Sequence, residues 1–80
     1  MSEVMQDVLA SIAQTLVDQP EKVQVAQSSS QGGTVLTITV PREERGKLIG
    51  RQGRTVRALR TLVHAASLKT GTHMSLEISK

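Results

Sequence analysis

The chain contains no cysteine and no phenylalanine, tyrosine or tryptophan. The first absence excludes disulfide stapling and thiolate metal sites, and it fits a reducing cytoplasm. The second removes the rings on which RRM domains and aromatic-platform OB folds stack bases, so it argues against both. Histidine is scarce too: His64 and His73 cannot fill a zinc site without carboxylate help. No apolar run approaches the roughly 20 residues that a membrane span needs. The opening Met-Ser-Glu-Val-Met-Gln-Asp is acidic and lacks the basic-then-apolar layout of a signal peptide. These absences lead us to expect a cytoplasmic protein with no membrane segment, metal or cofactor. The 80 residues suffice for one domain, 1–80, with one core. A domain this small buries only about 60% of its unfolded surface, so its stability should be modest.

What is present is unevenly charged. Residues 1–31 set Lys22 against Glu3, Asp7, Asp18 and Glu21, a net negative segment. Residues 42–60 set Arg42, Arg45, Lys47, Arg51, Arg54, Arg57 and Arg60 against Glu43 and Glu44 alone. Residues 61–80 add Lys69 and Lys80 against Glu77. The formal charge of +3 is thus gathered in one stretch. A focused basic patch is either a solvated face or a site for a polyanion. The preponderance of arginine, whose planar fork of donors matches phosphate, leans toward the site.

Hydrophobic periods give the elements. Met5, Val8, Leu9, Ile12, Ala13 and Leu16 recur at spacings of three and four and predict a helix over 2–18. Ser2 is placed to cap it, Glu3 suits the positive end of its dipole, and Pro20 stops it. Its polar face lacks the lysines of a membrane-lying helix, so the stripe reads as core. Residues 22–28 alternate about Val23 and Val25 and predict a strand. Ser28 to Gly33 reads as a turn with glycines free to take positive φ. Residues 34–40 alternate cleanly, with Leu36, Ile38 and Val40 on one side. Pro41 ends that strand, 42–49 reads as a two-turn helix, and Gly50 to Gly53 breaks it.

A longer helix is predicted over 54–69. At 100° per residue, Val56, Leu59, Leu62, Val63 and Ala66 fill an arc of about 120°. Arg54, Arg57, Arg60 and His64 lie opposite, and Leu68 falls among the charges, at a frayed end or on a partner surface. Gly71 breaks the chain again, and 73–79 alternates about Met74, Leu76 and Ile78. The order α-β-β-α-α-β implies a two-layer α+β sandwich. In it a three-stranded mixed sheet carries all the helices on one face.

The most informative segment is Gly46-Lys47-Leu48-Ile49-Gly50-Arg51-Gln52-Gly53-Arg54-Thr55-Val56-Arg57. A bare Gly-x-x-Gly is weak evidence. Here it joins two helices, opens the longer one, is framed by Ile49 and Val56, and is flanked by cations. A glycine without Cβ lets a phosphodiester backbone approach closely. Free amides at the start of helix 54–69 would offer an anion site. Arg51 and Arg54, with Lys47 nearby, can add charge-assisted contacts to phosphate, and Gln52 an uncharged hydrogen bond. Leu48, Ile49 and Val56 are candidates for an aliphatic floor beneath bases.

The run Ile49-Gly50-Arg51-Gln52-Gly53-Arg54-Thr55-Val56 resembles the Ile-Gly-x-x-Gly-x-x-Ile signature of KH domains. The element order resembles their type II arrangement, and the chain length and Gly46 to Arg60 are similar to the stand-alone bacterial KhpA family. Valine at 56, often isoleucine in KH domains, is a mild departure. The resemblance implies an RNA-binding protein that clamps about four nucleotides of single-stranded RNA. It places the clamp on Gly50, Arg51, Gln52 and Gly53 and the groove on Ile49 and Val56, with Lys47, Arg54 and Arg57 beside them. It also implies a homodimer, a heteromer with a KhpB-like KH protein, and a post-transcriptional regulator or RNA chaperone rather than an enzyme.

Rival readings fare less well. A nucleotide-hydrolysing phosphate loop would need Gly-x-x-x-x-Gly-Lys-[Ser/Thr] or Gly-x-Gly-x-x-Gly after a strand, and neither is present. His64 and His73 read as surface or edge histidines, and no serine or threonine is marked as an activated nucleophile. Double-stranded DNA is disfavoured because no helix is obviously free to enter a major groove. The rival from another class is a KH-fold module that serves only protein–protein contact.

Overall fold

Three helices and three strands follow one another as α1 Ser2–Leu16, β1 Gln24–Ser30, β2 Gly33–Thr39, α2 Arg45–Ile49, α3 Arg54–Thr70 and β3 Met74–Ile78. The computed structural model describes residues 2–79, apart from the side chains of Ser2 and Ser30. The cap expected of Ser2 therefore lies outside what is described.

β2 is the middle strand, antiparallel to β1 and parallel to β3. The register lines up Val25, Ile38 and Ile78 across the sheet, and Leu36 with Leu76. Alternation along a strand puts all of these on one face. There Leu36 and Ile38 are fully buried, and Met74 and Leu76 nearly so. Met5, Leu9, Ala13 and Val17 of the N-terminal segment and Leu48, Leu59 and Val63 of α2 and α3 close over them in one core. Polar Gln24, Ser28, Thr37, Thr39 and Glu77 fall on the other face, away from the helices. The α+β sandwich with a mixed sheet is as expected.

The boundaries differ from the sequence reading for identifiable reasons. α1 ends at Leu16 rather than Asp18. The amides of Asp18 and Gln19 are captured by the two oxygens of the Glu44 carboxylate, each at 2.8 Å. Pro20 does not stop the helix; it opens a separate 3-10 turn, Pro20–Lys22. The hairpin turn is tighter than expected, because β1 runs on to Ser30 and only Gln31 and Gly32 are left outside the strands. Of the two glycines only Gly33 takes positive φ, and a Cβ there would collide with the His73 backbone. The short helix is a 3-10 turn, Arg42–Glu44, that widens into α2.

Candidate nucleic-acid interface

The loop between α2 and α3 is built on three departures from ordinary backbone within four residues. Gly50 sits at φ 77°, ψ 171°, a region essentially reserved for glycine. Gln52 follows at φ 57°, ψ 25°, and Gly53 at φ 76°, ψ 15°, both left-handed. A left-handed non-glycine residue is costly, so its retention points to a constraint at this turn. The constraint is visible. Gly53 N–H donates to the Gly50 carbonyl at 3.1 Å, and the Arg57 guanidinium donates to the Gln52 carbonyl at 2.5 Å.

The two glycines play different parts. A Cβ on Gly50 would strike the Thr55 hydroxyl and come within 2.9 Å of the Thr55 backbone nitrogen. Gly50 is thus bare because α3 packs against it. A Cβ on Gly53 would meet nothing nearer than Arg57 Nη2 at 3.8 Å. The face of the loop at Gly53 is therefore open for another molecule to approach.

The first amide of the long helix departs from expectation. Free amides were expected at the start of the long helix. Instead the Gly53 and Arg54 amides turn inward, to the carbonyls of Gly50 and Arg51.

Charge is arranged in two ways. Lys47 is committed: its ammonium bonds the Asp18 carboxylate and, at 3.2 Å, Glu44 Oε1. Asp18 chiefly, then Glu44, raises the Lys47 pKa above its ordinary value against the burial that opposes it. The Glu44 carboxyl is held below its ordinary value, first by the Asp18 amide and then by the Gln19 amide and Lys47. Glu44 therefore fastens the end of α1 to the start of α2, and Lys47 serves that fastening more than the loop. Arg51, Arg54 and Arg57 are exposed and form no ion pair among the described residues.

The aliphatic positions divide as well. Leu48 is fully buried in the core, so it cannot lie beneath a base as expected. Ile49 is 41% exposed and Val56 is half-buried, which leaves both available at the surface. A second apolar surface was not foreseen. Ile12 and Leu16 of α1 and Arg54, Thr55, Ala58, Leu59 and Leu62 of α3 line a groove of about 420 Å³. Leu62, expected in the core arc, is 39% exposed on its wall. The α3 arc is wider than the core covers, and the signal on α1 was the apolar pair Ile12 and Leu16 at the end of its stripe. Leu68, placed among the charges by its period, is 72% exposed.

No group of histidine and acidic side chains suited to a metal ion occurs among the described residues. No described helix is long and apolar enough to cross a membrane.

An α-β-β-α-α-β sandwich whose second and third helices meet at a Gly-x-x-Gly loop defines a KH domain of type II. The profile described as "KhpA/KhpB, KH domain" matches residues 6–78. The chain belongs to that family. It is 39% identical over 74 residues to the RNA-binding protein KhpA of Clostridium acetobutylicum, covering 92% of this chain and 99% of the relative. It is 41% identical over 78 residues to the RNA-binding protein KhpA of Treponema pallidum, covering 98% of each. Among solved structures, an Aquifex aeolicus Era variant bound to GDP and AlF4− superimposes with a TM-score of 0.56 at 16% identity. That match spans 94% of this chain but 29% of the Era chain, and it bears on the fold alone.

Proposed function

We propose that this chain is a single KH domain that binds single-stranded RNA without catalysis, clamping it at Gly50, Arg51, Gln52 and Gly53. The observation that carries the reading is the loop surface at Gly53, where a Cβ would meet nothing within 3.8 Å. Beside it stand two arginines, Arg51 and Arg54, with no carboxylate partner among the described residues. In this reading the sugar-phosphate backbone lies against the loop. The two guanidinium groups hold phosphate, with Gln52 beside them as an uncharged hydrogen-bonding partner. Ile49 and Val56 give the bases an aliphatic surface, which suits a chain without aromatic rings. The names of the KhpA relatives support RNA as the ligand.

The finer expectations follow from the same reading. The protein works in the cytoplasm as a post-transcriptional regulator or RNA chaperone, and it pairs with a second copy or with a KhpB-like KH protein. The apolar groove between α1 and α3 supports pairing, since an exposed apolar surface of this kind is a common contact site. Pairing would strengthen a weak four-nucleotide grip by raising effective concentration. The same groove favours the second reading, a KH-fold contact module with little RNA binding.

Titration of the labelled chain with short single-stranded RNA, followed by amide resonances, tests the proposal. The largest shifts are expected at residues 50–54. Shifts confined to α1 and the outer turns of α3 would favour the contact module instead.

A further inference from the structure

The basic character of α3 does not stop at the loop. Its seventeen residues, Arg54–Thr70, contain no aspartate or glutamate. Arg57, Arg60 and His64 recur at spacings of three and four, which puts them within about 60° of arc on one side of the helix. All three are exposed, and none forms an ion pair among the described residues. The stripe climbs about 10 Å from Arg57 to His64 at the usual helical rise. It also begins at the loop, because Arg57 is the residue whose guanidinium braces the Gln52 carbonyl. The apolar groove is lined instead by Thr55, Ala58, Leu59 and Leu62 of the same helix.

An exposed helix is ordinarily laced with opposite charges at i, i+4 spacing, which stabilise it modestly. Here every partner of that kind is missing on α3, while Lys47 in the same basic segment is paired twice. Like charges left together on a helix face cost a little stability, and a bound polyanion offsets that cost.

We infer that this stripe is a phosphate track continuing from the clamp, in which Arg60 and His64 engage one or two phosphates beyond those held at the loop. The inference rests on the proposed RNA clamp and deepens it. The ligand is a single strand longer than the four or so nucleotides that a KH loop holds. Arg60 supplies a forked cation, and the His64 imidazole a ring N–H donor. Neither residue supports the core, so both can be changed without unfolding the domain.

The test compares the chain with an R60A/H64A variant on random-sequence RNA tetramer and octamer pools, across a series of salt concentrations. The wild-type chain should bind octamers at least ten-fold more tightly than tetramers. R60A/H64A should bind tetramers as the wild type does, lose most of the octamer advantage, and show a salt slope shallower by roughly 0.7 for each contact removed. R60K/H64K should regain the advantage. Three results would overturn the track: a wild-type chain with no preference for octamers, a variant with unchanged octamer affinity and slope, or a variant that loses only self-association. Binding of neither pool by the wild-type chain would instead sink the clamp itself.

Discussion

The two loop glycines should respond very differently to alanine, although their φ angles are nearly equal. At Gly53 the backbone is left-handed at φ 76°, ψ 15°, and an alanine Cβ has room. The left-handed penalty of about 1–2 kcal/mol is partly offset by the roughly 0.4–1 kcal/mol gained from a less flexible unfolded chain. The net loss should be about 1 kcal/mol. At Gly50 the backbone at φ 77°, ψ 171° is closed to alanine at a cost of about 1–3 kcal/mol. The Cβ must also displace the Thr55 side chain and crowd its backbone nitrogen, an overpacking cost of roughly 1–3 kcal/mol. G50A should therefore lose about 3 kcal/mol or more, with a melting temperature lower by roughly 12–24 °C against roughly 4–8 °C for G53A. With no aromatic chromophore in the chain, far-UV circular dichroism in urea is the suitable assay. The second substitution T55A should recover part of the G50A loss, because the hydroxyl clash vanishes, but not the part due to the Thr55 Cβ and backbone nitrogen. Equal losses at the two glycines, or a G50A loss below about 1 kcal/mol, would refute the packing argument.

Two further outcomes follow from the supporting structure. Leu48→Ala empties a fully buried position in α2 and should cost about 2–5 kcal/mol in urea denaturation, although the residue lies within the signature segment. E44Q should be less stable than the wild type at neutral pH, because an amide cannot accept from both Asp18 and Gln19 as the carboxylate does. The folded-state pKa of Glu44 lies below its ordinary value of 4.5, so its contribution is complete above that value and is lost as the pH falls through the lower one. Melting at successive pH values should therefore show the gap between E44Q and wild type narrowing below about pH 4.5. A gap that stays constant into acid would mean that the carboxylate charge is not what fastens the two helices.

The fold was largely legible because its patterns are local. Alternation at Leu36, Ile38, Leu76 and Ile78 and the helical spacing of Leu9, Ala13, Leu59 and Val63 read correctly, since each depends on one element meeting one core. The loop was legible because glycine is a direct mark of backbone freedom. What escaped depended on distant residues meeting. In the sequence Glu44 was only one of two acids set against a basic run, yet it is nearly fully buried and holds amides twenty-five and twenty-six positions away. Its capture of those amides goes with the early end of α1, and it also pairs with the Lys47 ammonium. Ser67 was likewise unremarked, but it is buried and ties the end of α3 to β3, donating to the Thr72 carbonyl and accepting from Met74 N–H. The groove between α1 and α3 could not be read from either helix alone, because its existence depends on the distance between them.

The role of the loop is tested most directly by reversing its charge. The double variant R51D/Q52D changes two exposed side chains and leaves both glycines, Thr55 and the core untouched. Its affinity for single-stranded RNA should fall at least ten-fold, while its circular dichroism spectrum and urea midpoint stay close to those of the wild type. A folded R51D/Q52D that binds the same RNA undiminished would contradict the account.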